Sequence, residues 1–198
     1  MNQTEVLDVL KRTGALMEGH FKLSSGRHSD TYVQKQMVFQ HPRLTASLGE
    51  AVAERFAKSG HEFDTVLSPA VGAILFGNAV AYAAGARFVY AERADGAMTL
   101  RRAQVLDPGE RVLVVEDVVT TGGSAAEVIG LVKSAHATLV GVACLVDRTP
   151  GSPPSASIRS SGSKRATGRQ PIVPSAEPGN PSPRPAAGSL PLEAPEGP

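Results

Sequence analysis

The sequence predicts an α/β fold in which a doubly wound parallel sheet is covered by helices on both faces. Short runs rich in valine and leucine recur along the chain, and segments with helical apolar spacing separate them. Strands that are apolar throughout need cover on both faces, and helices between consecutive strands supply it. A chain of 198 residues has room for one such domain and a tail.

The N-terminal region is predicted to contain a short helix followed by two strands. The helix opens at Thr4, whose hydroxyl suits an N-cap, and stops at Gly14. Residues 21–33 then indicate two short strands around a turn at residues 24–27.

Alternating helices and strands are predicted from Pro42 onward. The helix that begins there carries Leu44, Leu48 and Val52 at helical spacing and ends near Gly60. The later elements are a strand at 64–67, a helix at 72–84, a strand at 87–90, a β-turn-β piece with Asp95-Gly96 at its tip, a strand at 111–115, a helix at 123–135 and a strand at 138–146.

The composition changes abruptly at Thr149. Twelve of the fifteen prolines and none of the aromatic residues lie after it, so apolar burial cannot offset the entropy of ordering this segment. We therefore expect a domain at residues 1–148 and a tail at 149–198 that is disordered or poorly defined in structure from about residue 150.

Charge and apolar patterning exclude several classes of protein. The formal net charge of +1 provides no basic footprint for nucleic acid. No apolar run approaches the roughly 18 residues of a membrane span, and the N-terminus lacks the regions of a signal peptide. We expect a cytoplasmic protein that binds neither nucleic acid nor membrane.

The only cysteine, Cys144, lies in an apolar run, and this position indicates a buried side chain.

Residues 112–125 combine three features that together indicate an anion-binding site. A buried strand places Glu116 and Asp117 at the carboxyl edge of the sheet, where open α/β domains bind ligands. The glycine-rich loop that follows opens a helix, so its amide and hydroxyl groups suit a phosphate. Asp117 is expected to be an exposed loop carboxylate, and both acids suit ribose hydroxyls or hydrated magnesium. Gly122-Gly123 alone would indicate only a tight turn.

This segment resembles the signature with which type I phosphoribosyltransferases bind 5-phosphoribosyl 1-diphosphate (PRPP). The strand, acidic pair, threonine-rich loop and helix occur in the same order, whereas the endings typical of P-loop and dinucleotide fingerprints are missing. The resemblance implies the fold of that family and a set of PRPP-binding residues. These are Glu116, Asp117, Val118, Val119, Thr120, Thr121, Gly122, Gly123 and Ser124.

Three further segments resemble orotate phosphoribosyltransferases in particular. Residues 21–33 resemble part of the N-terminal hood that closes over the base, which implies a hood at about residues 1–40. Residues 144–148 resemble the strand end whose arginine, here Arg148, contacts orotate, and a guanidinium fork fits the flat anionic edge of that base. The family's second phosphate loop is matched by Ser68, Pro69, Ala70, Val71 and Gly72.

The resemblance covers about residues 5–148 and implies an activity. Family members transfer the phosphoribosyl group from PRPP to orotate, which gives orotidine 5′-monophosphate and diphosphate. Glu116, Asp117 and Arg93 are the implied catalytic residues, and Thr120 and Arg148 the implied orotate-binding residues. Mg²⁺ is the implied cofactor, with no residue assigned as its direct ligand, and the implied assembly is a homodimer.

Departures from the family pattern keep two alternatives open. In many members a mobile loop carries lysines and a histidine, but the matching residues 92–102 contain neither, so Arg101 or Arg102 would supply the charge. Ser24 replaces a hood lysine. One alternative is a purine-salvage phosphoribosyltransferase, against which the hood and Arg148 argue. The other is a non-catalytic PRPP-sensing regulator that binds nucleic acid, against which the near-neutral charge argues.

Overall fold

A computed structural model describes residues 1, 3–22, 28–149 and 155–160. The predicted turn at residues 24–27, including Ser24, lies outside the described residues, as does the tail apart from residues 149 and 155–160. The described residues all fall in one compact unit, Met1–Ser163. No helix in this part of the chain is both long enough and apolar enough to cross a membrane.

The predicted helices and strands are all found, and some of them are longer than expected. In chain order the elements are α1 Gln3–Arg12, β1 Leu16–Lys22, β2 His28–Val33, α2 Gln36–Phe39, α3 Pro42–Lys58, β3 Thr65–Pro69, α4 Ile74–Ala84, β4 Arg87–Ala94, β5 Ala97–Leu100, β6 Arg111–Val119, α5 Gly123–Ser134, β7 Thr138–Asp147 and β8 Ser155–Ser160. The short helix α2 was not predicted. Strand β6 continues through the acidic pair, so Glu116 and Asp117 are strand residues.

Six strands of the described residues form the main sheet, in the order β5-β4-β3-β6-β7-β8. The central four, β4-β3-β6-β7, are parallel as predicted. Both edges are antiparallel, because β5 returns from β4 through the Asp95-Gly96 turn and β8 runs back along β7. The sheet is therefore mixed, and β8 is the part of the tail beyond Thr149 that the structure describes.

Two layers of helices cover the two faces of the sheet, which explains why its central strands are apolar throughout. Along β6, Leu113 and Val115 pack in the core with α3 and α4, whereas Val112 and Val114 pack in the core with α5. Since successive strand residues face opposite sides, a strand buried on both faces has no polar alternation.

The order of the parallel strands creates one crevice at the carboxyl edge of the sheet. The chain leaves β3 through α4 toward β4 on one side, and leaves β6 through α5 toward β7 on the other. Because β3 and β6 are neighbours, the loops after them diverge at a topological switch point. The second phosphate loop and the loop at residues 120–122 are these two segments.

The N-terminal elements form a separate two-stranded sheet, β1-β2, together with α1 and α2. Val9 and Leu10 of α1 and Val38 of α2 are buried in the same apolar core as α3 and α4. The N-terminal region is thus anchored on one face of the main sheet, and it brings the start of α2 toward the carboxyl edge.

Gly49 provides a test of the α3–α4 packing. A Cβ at Gly49 would lie 2.5 Å from the carbonyl carbon of Ala79 and 2.6 Å from its oxygen, so Gly49→Ala must push the helices apart. We expect a loss of about 1–3 kcal/mol in the free energy of unfolding, measured by urea denaturation. The matched control is Gly130→Ala in α5, where no atom lies within 4 Å. That change should be neutral or stabilise the helix by about 0.5–1 kcal/mol, and equal stability of both variants would contradict the packing argument.

Candidate active site

The loop between β6 and α5 forms a small concave cradle. Gly122 caps α5 with a positive φ of 80°, a conformation that glycine adopts without steric cost. The first amides of α5 have no acceptor within the helix, so they are available to an anion, and the helix dipole favours negative charge there. The cradle encloses about 60 Å³ and is lined by Glu116 and residues 118–125. Its Thr120, Thr121, Gly123 and Ser124 are exposed to solvent.

Two adjacent carboxylates lie buried beside this cradle. Glu116 is 7% exposed and Asp117 3% exposed. The expectation that Asp117 is an exposed loop carboxylate is therefore wrong, because β6 extends past it into the sheet. The Val118 amide donates to Asp117 Oδ1 at 2.6 Å, and the Asp117 amide donates to Glu116 Oε1 at 3.2 Å.

The surroundings of Glu116 change its protonation. Burial, followed by the negative charge of Asp117, raises the pKa of Glu116 from 4.5 to about 8, although Lys35 acts in the opposite direction. At neutral pH the acidic pair thus retains one proton, so Glu116 can donate a hydrogen bond while Asp117 accepts.

Lys35 is a site residue that the sequence analysis did not identify. It lies next to the start of α2 and forms an ion pair with Asp117. Its side chain is 27% exposed, whereas that of Asp117 is 5% exposed, so the lysine lies between the buried acid and solvent. Nothing in the local sequence distinguishes Lys35 from a solvated lysine, because its partner comes from a distant strand.

The second phosphate loop approaches the same point from β3. Its Ala70–Val71 peptide is cis, and Val71 is 80% exposed. A Cβ on Gly72 would meet both Asp117 Oδ2 and Lys35 Nζ. The structure therefore brings Gly72 and Asp117 together, as the switch point predicts, and adds Lys35 to them.

Arg148 lies at the end of the neighbouring strand and links the sheet to β2. Its amide donates to the Val119 carbonyl at 2.8 Å, and its guanidinium Nη2 donates to the Thr31 carbonyl at 3.2 Å. Asp147, the preceding residue, pairs with Val119 in the β6–β7 ladder. The two predicted orotate residues, Thr120 and Arg148, thus follow directly after paired strand ends.

Arg93 belongs to a different environment from the acidic pair. Its guanidinium pairs with Glu127 of α5 at 2.7 Å and also donates to the Gly96 carbonyl. These contacts fix the β4–β5 hairpin to α5, and none of the contacts described for Arg93 reaches Glu116 or Asp117. Two further arginines, Arg101 and Arg102, lie 3.5 and 3.4 Å from Glu92.

The raised pKa of Glu116 predicts how stability depends on pH. The unfolded chain releases this proton near pH 4.5, whereas the folded chain retains it until about pH 8. This contribution to stability is complete below pH 4.5 and is lost as the pH rises to about 8. Glu116→Gln cannot titrate, so its free energy of unfolding should decline less over this range, by up to a few kcal/mol at about 1.4 kcal/mol per pKa unit. Urea unfolding of the ligand-free proteins at several pH values measures this, and parallel profiles would refute the assignment.

Comparison with known proteins agrees with this geometry. Residues 34–166 match the phosphoribosyl transferase domain family. An orotate phosphoribosyltransferase from Chlorobium phaeobacteroides is 51% identical over 151 residues, which cover 76% of this chain and 77% of that protein.

Solved structures extend the comparison to the fold. The orotate phosphoribosyltransferase from Aeropyrum pernix superposes with a TM-score of 0.62 at 26% identity, covering 72% of this chain and 81% of that one. An adenine phosphoribosyltransferase from Rhodothermus marinus gives a TM-score of 0.58 at 24% identity, covering 73% and 87%, so the fold alone does not distinguish the base. By sequence identity, the chain belongs to the phosphoribosyltransferases and, within them, to the orotate phosphoribosyltransferase family.

Proposed function

We propose that this chain catalyses the transfer of the phosphoribosyl group from PRPP to N1 of orotate. The products are orotidine 5′-monophosphate and diphosphate, so the enzyme is a pentosyltransferase of pyrimidine nucleotide synthesis. One observation carries the proposal: a buried acidic pair and a helix-opening glycine loop lie at the end of β6, against the loop that follows β3.

The two loops divide PRPP between them. The cradle at residues 120–124 receives the 5-phosphate, because these residues line one small cavity at the start of a helix. The ribose hydroxyls bind the acidic pair, with Asp117 as acceptor and protonated Glu116 as donor. The second phosphate loop, at residues 68–72, lies beside Asp117 and faces the diphosphate.

The reaction needs positioning and charge stabilisation more than covalent catalysis. The bond between ribose C1 and the diphosphate oxygen breaks, and its electron pair leaves with diphosphate. The N1 atom of orotate forms the new bond to C1 and releases its proton. Because C1 becomes positively charged as diphosphate departs, the protein must hold both reactants in line and stabilise the leaving negative charge.

The acidic pair also fits Mg²⁺ that enters together with the diphosphate. In the described part of the chain, no group of three or more histidine, cysteine, aspartate or glutamate side chains forms a metal site. Protein magnesium sites often use one or two carboxylates and take the remaining ligands from substrate phosphates and water. Asp117, the member of the pair without the proton, meets that requirement, and the metal would neutralise part of the diphosphate charge.

Arg148 is the proposed contact for the orotate carboxylate. It follows β7 at the same sheet edge as Thr120, and its guanidinium touches β2 of the hood region. A planar fork of donors suits a carboxylate that adenine and xanthine lack. Arg148 therefore favours orotate over a purine base.

We further propose a homodimer that forms near the site. Val71, Leu75 and Tyr82 are 80%, 53% and 84% exposed. Leu75 and Tyr82 are two turns apart on α4, so they share one face of that helix, and Val71 precedes it. An apolar stripe of this kind suits a second copy of the chain.

The cytoplasmic location stays a prediction.

A substrate panel tests the function. Purified protein is incubated with Mg²⁺, PRPP and one of orotate, adenine or xanthine, and the nucleotide product is identified chromatographically. Orotidine 5′-monophosphate alone is expected. A purine nucleotide would support the salvage alternative, and PRPP binding without any nucleotide would support the regulator.

Arg148→Ala tests which residue recognises the base. Loss of a charge-assisted hydrogen bond should raise the KM for orotate about 10- to 100-fold and change the KM for PRPP much less. The control is Arg43→Ala, an exposed arginine on α3, which should leave both constants unchanged. Equal increases in the two constants for Arg148→Ala would contradict the assigned role.

A further inference from the structure

Three elements converge on the Lys35 side chain. The lysine extends from the start of α2, its ion-pair partner Asp117 is at the end of β6, and Gly72 belongs to the loop after β3. A Cβ on Gly72 would lie 2.5 Å from Lys35 Nζ and even closer to Asp117 Oδ2. Any residue other than glycine at this position would displace the ion pair.

The location of Lys35 suits a role beyond that of a structural ion pair. Its ammonium lies beside the loop proposed to face the diphosphate, and more than a quarter of its side chain is exposed. A lysine ammonium has three donors on a flexible stem, so it can turn toward a second anion. Burying a carboxylate against one charged partner is also a costly arrangement.

The arginines of the β4–β5 region have acidic partners of their own. Arg93 pairs with Glu127, and Arg101 and Arg102 lie beside Glu92. The loop at residues 92–102 contains no lysine. Within the described residues, Lys35 is the cation that directly adjoins both the acidic pair and the second phosphate loop.

We propose that Lys35 is a substrate-contacting residue that exchanges Asp117 for the diphosphate of PRPP. In the ligand-free site its ammonium neutralises Asp117. When PRPP binds, the ribose hydroxyls occupy Asp117, and Lys35 turns onto the diphosphate oxygens. There it stabilises the negative charge that grows as the C1–oxygen bond breaks. This inference rests on the proposed function and adds a residue to it.

Kinetics of Lys35→Met and Lys35→Arg test the exchange. Lys35→Met should raise the KM for PRPP about 10- to 100-fold and lower kcat, while the KM for orotate changes by less than about twofold. Lys35→Arg should retain part of the activity because it keeps the charge. The matched control is Lys58→Met, which removes a lysine paired with Glu54 on the exposed face of α3 and should change neither constant.

Chemical rescue separates the lost charge from a damaged fold. Lys35→Cys treated with 2-bromoethylamine regains an ammonium of nearly the same reach, whereas iodoacetamide gives a neutral side chain. The one native cysteine, Cys144, is 6% exposed, so labelling is selective for position 35. Only the aminoethylated protein should recover its KM for PRPP.

The outcomes distinguish the inference from the function on which it rests. Failure of the wild-type protein to form orotidine 5′-monophosphate would reject the function itself. An active wild type together with an unchanged KM for PRPP in Lys35→Met would reject only the role of Lys35. If Lys35→Met raised both KM values equally and lowered the melting temperature, and if aminoethylation of Lys35→Cys gave no rescue, the role of Lys35 would be structural. That result would also overturn the inference.

Discussion

The burial of two adjacent carboxylates at the end of β6 is the constraint around which the site is built. Two negative charges side by side in a poorly solvated environment repel each other and lose hydration. Three features offset this cost. Glu116 retains a proton, the Val118 amide donates a hydrogen bond to Asp117, and the Lys35 ammonium forms an ion pair with Asp117. Each of these features requires a particular neighbouring group, so the burial of the two carboxylates determines which groups surround them.

The topology explains why those neighbours are available at this point. Because the chain leaves β3 and β6 in opposite directions, the loops after them open a crevice between two adjacent strands. The N-terminal elements are anchored in the core with α3 and α4, which brings α2 and Lys35 to the same edge. Gly72 then admits both side chains, since a Cβ would fill the space they occupy.

The sequence predicts features whose determinants are close together along the chain. The strand, acidic pair, glycine loop and helix at residues 112–125 are contiguous, so pattern and turn chemistry were sufficient to place them. The contacts of Lys35 with Asp117 and of Arg93 with Glu127 join distant segments, and no local signal distinguishes these residues from solvated charges. No strand was predicted at residues 155–160, because a serine-rich segment close to several prolines favours no regular element.

The electrostatics of the ligand-free site suit the arrival of a highly charged anion. Near neutral pH, protonated Glu116 is uncharged and the charges of Asp117 and Lys35 cancel, so the proposed site would not repel PRPP. If Lys35 turned to the diphosphate, the negative charge of the substrate would balance the charge of the lysine. Asp117, no longer paired with the lysine, could then accept hydrogen bonds from the ribose hydroxyls with both of its oxygens. Above about pH 8, ionised Glu116 adds a negative charge next to the proposed binding site and would oppose this exchange. If the proposed exchange takes place, burial of the acidic pair makes PRPP binding depend on a proton as well as on a lysine.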